Sequence, residues 1–135
     1  MTYLPFTDNS LVIRGEFSDD TAWNSIKSAI TARVGEFRAY VDSVDNAELE
    51  GVLPETIPSL IRPGAYLSFV FIVDRKTFTH PDHPILVVDL IDEPGRTFRV
   101  IPSKMWSVEN NLSLANLDFA DFVESVDDEG IYRGF

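Results

Sequence analysis

The chain has 135 residues, of which 22 are Asp or Glu and 11 are Lys or Arg, so its formal net charge is −11. Hydrophobic residues make up 44% and cysteine is absent, which favours one domain with a core and excludes disulfide scaffolds, thiolate metal sites and cysteine nucleophiles. Nucleic acids and anionic membranes are disfavoured as partners, because both bind concentrated basic surfaces. With neither a bilayer-spanning apolar run nor a signal-peptide pattern at its start, the sequence predicts a cytoplasmic domain.

The first half of the chain predicts a parallel β-α-β-α-β unit after a loose lead-in at residues 1–10. Its most regular feature is an apolar stripe at helical spacing from Trp23 to Phe37, which is typical of a helix packed on a core. Ser18 is placed to cap this helix and Gly35 to end it. The remaining predicted elements of this half are strands at Leu11–Arg14, Arg38–Val44 and Ser68–Asp74 and a short helix from Pro54 to Ile61.

The second half predicts an antiparallel hairpin followed by two helices. The apolar runs Ile85–Asp92 and Thr97–Ile101 are separated by a Glu-Pro-Gly-Arg turn, so the two strands should pair. The later elements are a helix with Met105, Val108 and Leu112 on one face, a helix capped by Asn116 or Asp118 and ended by Gly130, and a closing strand at Ile131–Arg133. The element order as a whole predicts a single-domain α/β sandwich over residues 1–135.

Motifs in the second half match the pattern of one known family. They are Val87-Val88-Asp89-Leu90, Thr97–Pro102, Trp106, Asn110-Asn111-Leu112, Ala115-Asn116, Asp118-Phe119 and Gly130–Phe135. With these residues, and with Phe17–Asp20 and Trp23 near its start, the chain resembles a small family of uncharacterised microbial proteins known only as a domain of unknown function. The resemblance spans most of the chain and leaves the fold prediction unchanged, but it implies no activity.

Three aspartates are placed to meet at one edge of the predicted sheet. Asp19 and Asp20 follow the first strand and Asp74 ends the third, and parallel strands that share a right-handed crossover end at the same edge. Ligands of open α/β sheets bind at that edge, and three carboxylates there could hold Mg²⁺. A capped helix and a turn aspartate account for the same residues, and we prefer that interpretation.

The only two histidines of the chain lie in the segment His80-Pro81-Asp82-His83-Pro84. His80, Asp82 and His83 offer two imidazoles and a carboxylate, which form a conceivable zinc or nickel set. Two prolines make the segment extended, so a rigid surface loop between two core strands is the simpler interpretation. No metal site is favoured here.

Asp89 interrupts the otherwise apolar strand after Ile85. A buried carboxylate is normally paired or protonated, and Arg99 on the partner strand or Arg14 on the first strand could pair with it. A structural ion pair is therefore the preferred prediction, and a functional acid of raised pKa is the alternative.

The sequence favours an acidic module that binds a basic protein, in the manner of an immunity protein or inhibitor. Acidic side chains that could contact the partner cluster in one segment: Asp42, Asp45, Glu48, Glu50 and Glu55. The alternative is a small enzyme or ligand sensor with a carboxylate pocket at the sheet edge. Phosphate-binding loops and nucleophile elbows are absent, so catalysis is disfavoured. No cofactor is predicted beyond a possible divalent cation, and the oligomeric state stays open.

Overall fold

The computed structural model describes residues 2–135 and is built around one mixed sheet of six strands. The strands are β1 (Ser10–Arg14), β2 (Val41–Val44), β3 (Phe69–Val73), β4 (Ile85–Asp89), β5 (Thr97–Val100) and β6 (Ile131–Tyr132). The helices are α1 (Asp20–Thr31), α2 (Arg75–Thr79), α3 (Met105–Ser113) and α4 (Phe119–Val123), with 3₁₀ helices at Ala47–Leu49, Pro54–Leu60 and Pro102–Lys104. Among these residues no helix is long and apolar enough to cross a membrane.

The strands lie in the order β2-β1-β3-β4-β5-β6. Strand β1 is parallel to both β2 and β3, whereas β4 is antiparallel to β3 and β5, and β6 is parallel to β5. The α/β fold class, the parallel start and the antiparallel hairpin are thereby confirmed. The connection from β2 to β3 is made of 3₁₀ helices rather than the predicted α-helix, and Pro58 inside that segment removes a donor that an α-helix needs.

Alternate side chains of the central strands enter two separate cores. Val12 and Phe71 pack on the face covered by α1, α3 and α4, while Ile13 and Ile72 pack on the other face. The second face is covered by the 3₁₀ helix Pro54–Leu60 and by the segment before β1. This explains why β3 and β4 read as continuous apolar runs, since every residue of both strands is buried.

The connectivity gives the sheet two chemically different edges. The chain moves from β1 to β2 in one direction and from β2 to β3 in the other, so two right-handed crossovers cover opposite faces. The ends of β1, β2 and β3 therefore lie together at what we call the carboxyl edge, and their beginnings lie at the amino edge. Strand β4 runs the opposite way, so Pro84, just before it, lies at the carboxyl edge and Asp89 lies at the amino edge.

Helix α1 differs from the prediction at both ends. It is capped by Asp19 rather than Ser18, and it ends at Thr31 instead of continuing to Phe37. Gly35, at a φ of +63°, turns the chain so that Val34 and Phe37 form a two-residue bridge. Phe37 then stacks on Trp106 with 4.5 Å between ring centroids, so the apolar stripe continues into a turn rather than along the helix.

Two strands are shorter than predicted, since β2 begins at Val41 rather than Arg38 and β4 ends at Asp89 rather than Asp92, and three other segments differ more. The lead-in at residues 2–9 is anchored rather than loose, because Leu4 is buried and its N–H donates to the Leu60 carbonyl at 2.8 Å. Helix α2 was not predicted, and its five residues are too few to show a periodic pattern. Helix α4 begins after Asp118 as predicted but ends at Val123, well before Gly130.

Candidate functional site

Arg14 is the central charge of the carboxyl edge. It ends β1, it is only 5% exposed, and its guanidinium lies 4.3 Å from the Phe17 ring centroid and 5.4 Å from that of Trp23. The same guanidinium forms ion pairs with Asp20 and, at 3.3 Å, with Asp45, whose side chains are 83% and 52% exposed. Burial disfavours the charge of Arg14, but its two carboxylates outweigh that cost and raise its pKa.

Asp74 and Arg99 form the second ion pair of this edge. Both Asp74 oxygens accept from the Arg99 guanidinium, at 2.9 and 2.7 Å, in a bidentate arrangement. Asp74 also caps α2, because its carboxylate accepts from the Thr77 N–H at 3.2 Å. Burial works to raise the pKa of Asp74, but the Arg99 guanidinium and the Thr77 donors prevail and hold that pKa below its ordinary value.

The three aspartates predicted to form one pocket are held by separate partners. Asp19 accepts from the Ala22 N–H at 3.0 Å as the cap of α1, Asp20 pairs with Arg14, and Asp74 pairs with Arg99. Within residues 2–135, no three His, Asp or Glu side chains are grouped so that they could hold one metal ion. Asp19 caps α1, as the preferred interpretation expects at a helix start, whereas Asp20 and Asp74 form ion pairs with arginines that this interpretation did not include.

The residues of the histidine segment also have separate partners. The His80 ring lies 2.9 Å from Glu129 through Nε2 and accepts from the Asp82 N–H through Nδ1 at 3.0 Å. Asp82 pairs with Arg133 at 3.0 Å, and His83 Nδ1 lies 2.9 Å from the Thr77 carbonyl. The segment thus joins α2 and β4 to the chain around β6, as a fixed surface loop.

Asp89 is buried as predicted, but it does not form the predicted ion pair. Its two oxygens accept from the backbone N–H groups of Ile91 and Glu93, each at 3.0 Å. Arg99 and Arg14, its expected partners, are bound to carboxylates at the opposite edge. The carboxylate therefore holds the β4–β5 turn, beside a depression of about 200 Å³ that Asp92 and Asp118 also line.

Glu109 on α3 is a buried carboxylate that the sequence interpretation missed. It is 4% exposed and joins three segments, because it accepts from the Tyr40 N–H at 2.8 Å and from the Ser10 and Ser113 hydroxyls at 3.1 and 2.6 Å. Asn110 Nδ2 donates a fourth bond at 3.1 Å. Its position four residues after Met105, on the apolar face of the predicted helix, is the signal that could have revealed it.

A pocket of about 280 Å³ opens beside Glu109 at the amino edge. Its walls include the aromatic residues Phe6, Tyr40 and Tyr66, which are 71%, 49% and 68% exposed. The only charged residues among those lining it are Asp8 and Glu109. We call it the amino-edge pocket.

Carboxylates of the segments that follow β1 and β2 form a surface at the carboxyl edge that we call the acidic rim, and all of them are exposed except the half-buried Glu16. It consists of Glu16, Asp19, Asp20, Asp45, Glu48 and Glu50. The segments after β1 and β2 are joined there, because Gly51 N–H donates to the Gly15 carbonyl at 2.8 Å and Arg14 bridges Asp20 and Asp45. Of the predicted contact residues, Asp45, Glu48 and Glu50 belong to this rim, while Asp42 lies on β2 and Glu55 in the 3₁₀ helix Pro54–Leu60.

Comparison with known proteins finds a matching family. A family model described as "Domain of unknown function (DUF6924)" matches residues 9–135, a range that includes all six strands, the acidic rim and Glu109. No curated protein matches the chain. The family match agrees with the resemblance inferred from the sequence motifs.

Proposed function

We propose, for a chain that belongs to the family described as "Domain of unknown function (DUF6924)", a function inferred from its own geometry. The protein binds a basic protein through the acidic rim. The proposal includes a cytoplasmic site of action. The observation that carries it is the arrangement of the acidic rim, where six carboxylates lie on two joined segments and Arg14, the one cation paired with any of them within residues 2–135, is itself buried.

The rim presents its negative charge outward. Within residues 2–135, Arg14 is the only cation that forms an ion pair with any rim carboxylate. Because Arg14 is 5% exposed, its charge reaches solvent far less than those of Asp20 and Asp45. Lys and Arg side chains of a partner would meet exposed carboxylates and little competing positive charge.

The rim is also held in place before any partner arrives. Arg14 fixes Asp20 and Asp45, Asp19 is bound to the start of α1, and the Glu16 carboxylate accepts from the Ser18 hydroxyl at 2.7 Å. Fixed charges need less ordering on association, and a net charge of −11 would attract a basic partner over distances of about a Debye length. We therefore expect fast association that weakens as salt is added.

The test compares two variants of equal net charge. One removes three rim charges by Glu16→Gln, Glu48→Gln and Glu50→Gln, and the control removes three exposed charges elsewhere by Asp92→Asn, Glu124→Gln and Asp128→Asn. Each immobilised protein is exposed to lysate at low salt, and a retained protein is identified by mass spectrometry and titrated in purified form.

The proposal expects a stoichiometric basic partner that binds wild type and the control variant alike. Loss of three surface charge pairs should weaken its binding to the rim variant by roughly 3- to 150-fold, at about 0.2–1 kcal/mol per pair. Equal weakening in both variants would show a response to net charge alone, and would contradict a specific surface.

A further inference from the structure

We propose that the amino-edge pocket binds a small organic cation, an ammonium group carried on an apolar body. The pocket lies at the opposite edge of the sheet from the acidic rim, so this inference is independent of the proposed function. It depends on three observations: exposed aromatic walls, a lining whose charges are both negative, and a buried carboxylate without a cationic partner.

The aromatic walls come from three separate segments of the chain. Phe6 precedes β1, Tyr40 precedes β2 and Tyr66 precedes β3, and all three line the pocket although about half or more of each side chain is exposed. Exposed aromatic residues that gather at one place mark binding sites more often than chance. The faces of such rings attract cations, and the Arg38 guanidinium already lies 4.8 Å from the Tyr40 ring centroid.

The charges that line the pocket determine which sign of charge a ligand can carry. Asp8 and Glu109 are the only charged residues among its described lining side chains, and both are acidic. Arg38 is not part of that lining. An anionic ligand would therefore be repelled, while an ammonium group would be attracted by both the carboxylates and the rings.

Glu109 has hydrogen-bond donors but no counter-charge. It accepts four hydrogen bonds, yet within residues 2–135 it takes part in no ion pair with Lys, Arg or His. Hydrogen bonds satisfy its oxygens, as they do those of Asp89, but they provide no opposite charge to balance it. A cation in the adjoining pocket would provide that balance across a short distance of low-dielectric protein.

The size of the pocket suits a small ligand. A volume of about 280 Å³ is near the lower limit of small-molecule sites, enough for a trimethylammonium or primary ammonium head group. A neighbouring depression of about 510 Å³ shares Phe6 and Tyr66 and is lined by Pro63, Gly64 and Ala65 as well as Arg62. It provides room for an apolar body beyond the head group.

The test titrates the protein with choline and, separately, with 3,3-dimethyl-1-butanol, its uncharged isostere, and follows backbone amide signals by NMR. The proposal expects choline to cause saturable shifts at residues 6–10, 40, 66–69 and 109–113, and the uncharged isostere to cause none at the same concentration. Equal responses to both compounds, or no saturable response to choline, would overturn it.

Variants separate the contributions of the rings and the carboxylate. Phe6→Leu and Tyr66→Leu keep apolar bulk but remove a π face, so each should weaken choline binding by about two- to fivefold. Phe135→Leu changes an equally exposed ring outside the pocket and should leave binding unchanged. Glu109→Gln should weaken binding by roughly fivefold or more. If Glu109→Gln fails to fold, the two ring variants still decide, and unchanged binding in both would contradict the site.

A last comparison identifies the source of the ammonium group. Tighter binding of N-acetyl-trimethyllysine amide than of choline would indicate a modified side chain of another protein. The reverse order would indicate a free metabolite, and either order supports an organic-cation site.

Discussion

The two edges of the sheet hold their buried and half-buried carboxylates in different ways. At the carboxyl edge, Asp74 after β3 forms a bidentate pair with Arg99, which lies two strands away on β5. At the amino edge, Asp89 and Glu109 are more deeply buried, yet they meet only N–H and O–H donors. Deep burial therefore does not imply an ion pair in this fold. The amino edge keeps an unbalanced negative charge, whereas the interior of the carboxyl edge is neutralised.

The comparison between the two edges is tested most severely by replacing Glu109. We expect Glu109→Ala to lower the free energy of unfolding by about 3 kcal/mol, because it leaves the part-buried Tyr40 N–H without an acceptor and removes one acceptor each from the Asn110 amide and two serine hydroxyls. Urea denaturation measures this. Glu109→Gln, which keeps one acceptor oxygen, should cost about 1 kcal/mol, and a loss below 1 kcal/mol for Glu109→Ala would show that the hydrogen-bonded carboxylate contributes little.

Removing the charge of Asp74 should have the next largest effect. Asp74→Asn keeps a cap oxygen for Thr77 but breaks the pair with Arg99, so we expect a loss of about 2 kcal/mol at pH 7. Because folding lowers the pKa of Asp74, its contribution is present above the unfolded-state pKa and is lost as pH falls through the folded-state value. The difference between wild type and variant should therefore shrink below about pH 4, as urea denaturation at pH 7, 5 and 3 would show. A constant difference would rule out this ionic origin.

Removing Arg14 should have the smallest effect of the three substitutions, although Arg14 is more deeply buried than Arg99. Its partners Asp20 and Asp45 are mostly exposed and return to water when the guanidinium is lost. Arg14→Met also replaces a buried charge with an apolar side chain that can pack against Phe17 and Trp23, so we expect a change within about 1 kcal/mol of zero. Thermal unfolding measures it. A loss of unfolding free energy as large as that of Asp74→Asn would mean that the ion pairs of Arg14 and Arg99 contribute equally to stability.

The sequence predicts most of the strands, because a strand that is buried on both faces is a continuous run of apolar residues, and the local sequence alone shows such a run. β3 and β4 are continuous apolar runs, and the Glu-Pro-Gly-Arg turn identifies the hairpin. The end of α1 is less predictable. Val34 and Phe37 keep the helical spacing, but Phe37 packs on Trp106, a contact between residues far apart in the chain.

The site residues were harder to predict, since their partners depend on strand order. Asp89 could be recognised as buried, but its pairing with the backbone of its own turn could not be distinguished from pairing with Arg99 before the register was known. Glu109 was hidden for a related reason. Two of its donors, Ser10 at the start of β1 and Tyr40 just before β2, come from segments that only the fold brings to α3. The convergence of Asp45 and Asp20 on Arg14 likewise needs β2 to lie beside β1.

Strands β3, β4 and β5 follow one another both along the chain and across the sheet, whereas β1 pairs with β3 across nearly sixty intervening residues. Loop-closure entropy favours early formation of the local three-stranded meander, and delays the parallel pairings that need long loops to close. The Asp74–Arg99 pair lies within the meander, and the Arg14–Asp45 pair spans the parallel part. The Asp74–Arg99 pair can therefore form as soon as the meander does, whereas the Arg14–Asp45 pair at the same edge waits for the separate pairing of β1 with β2.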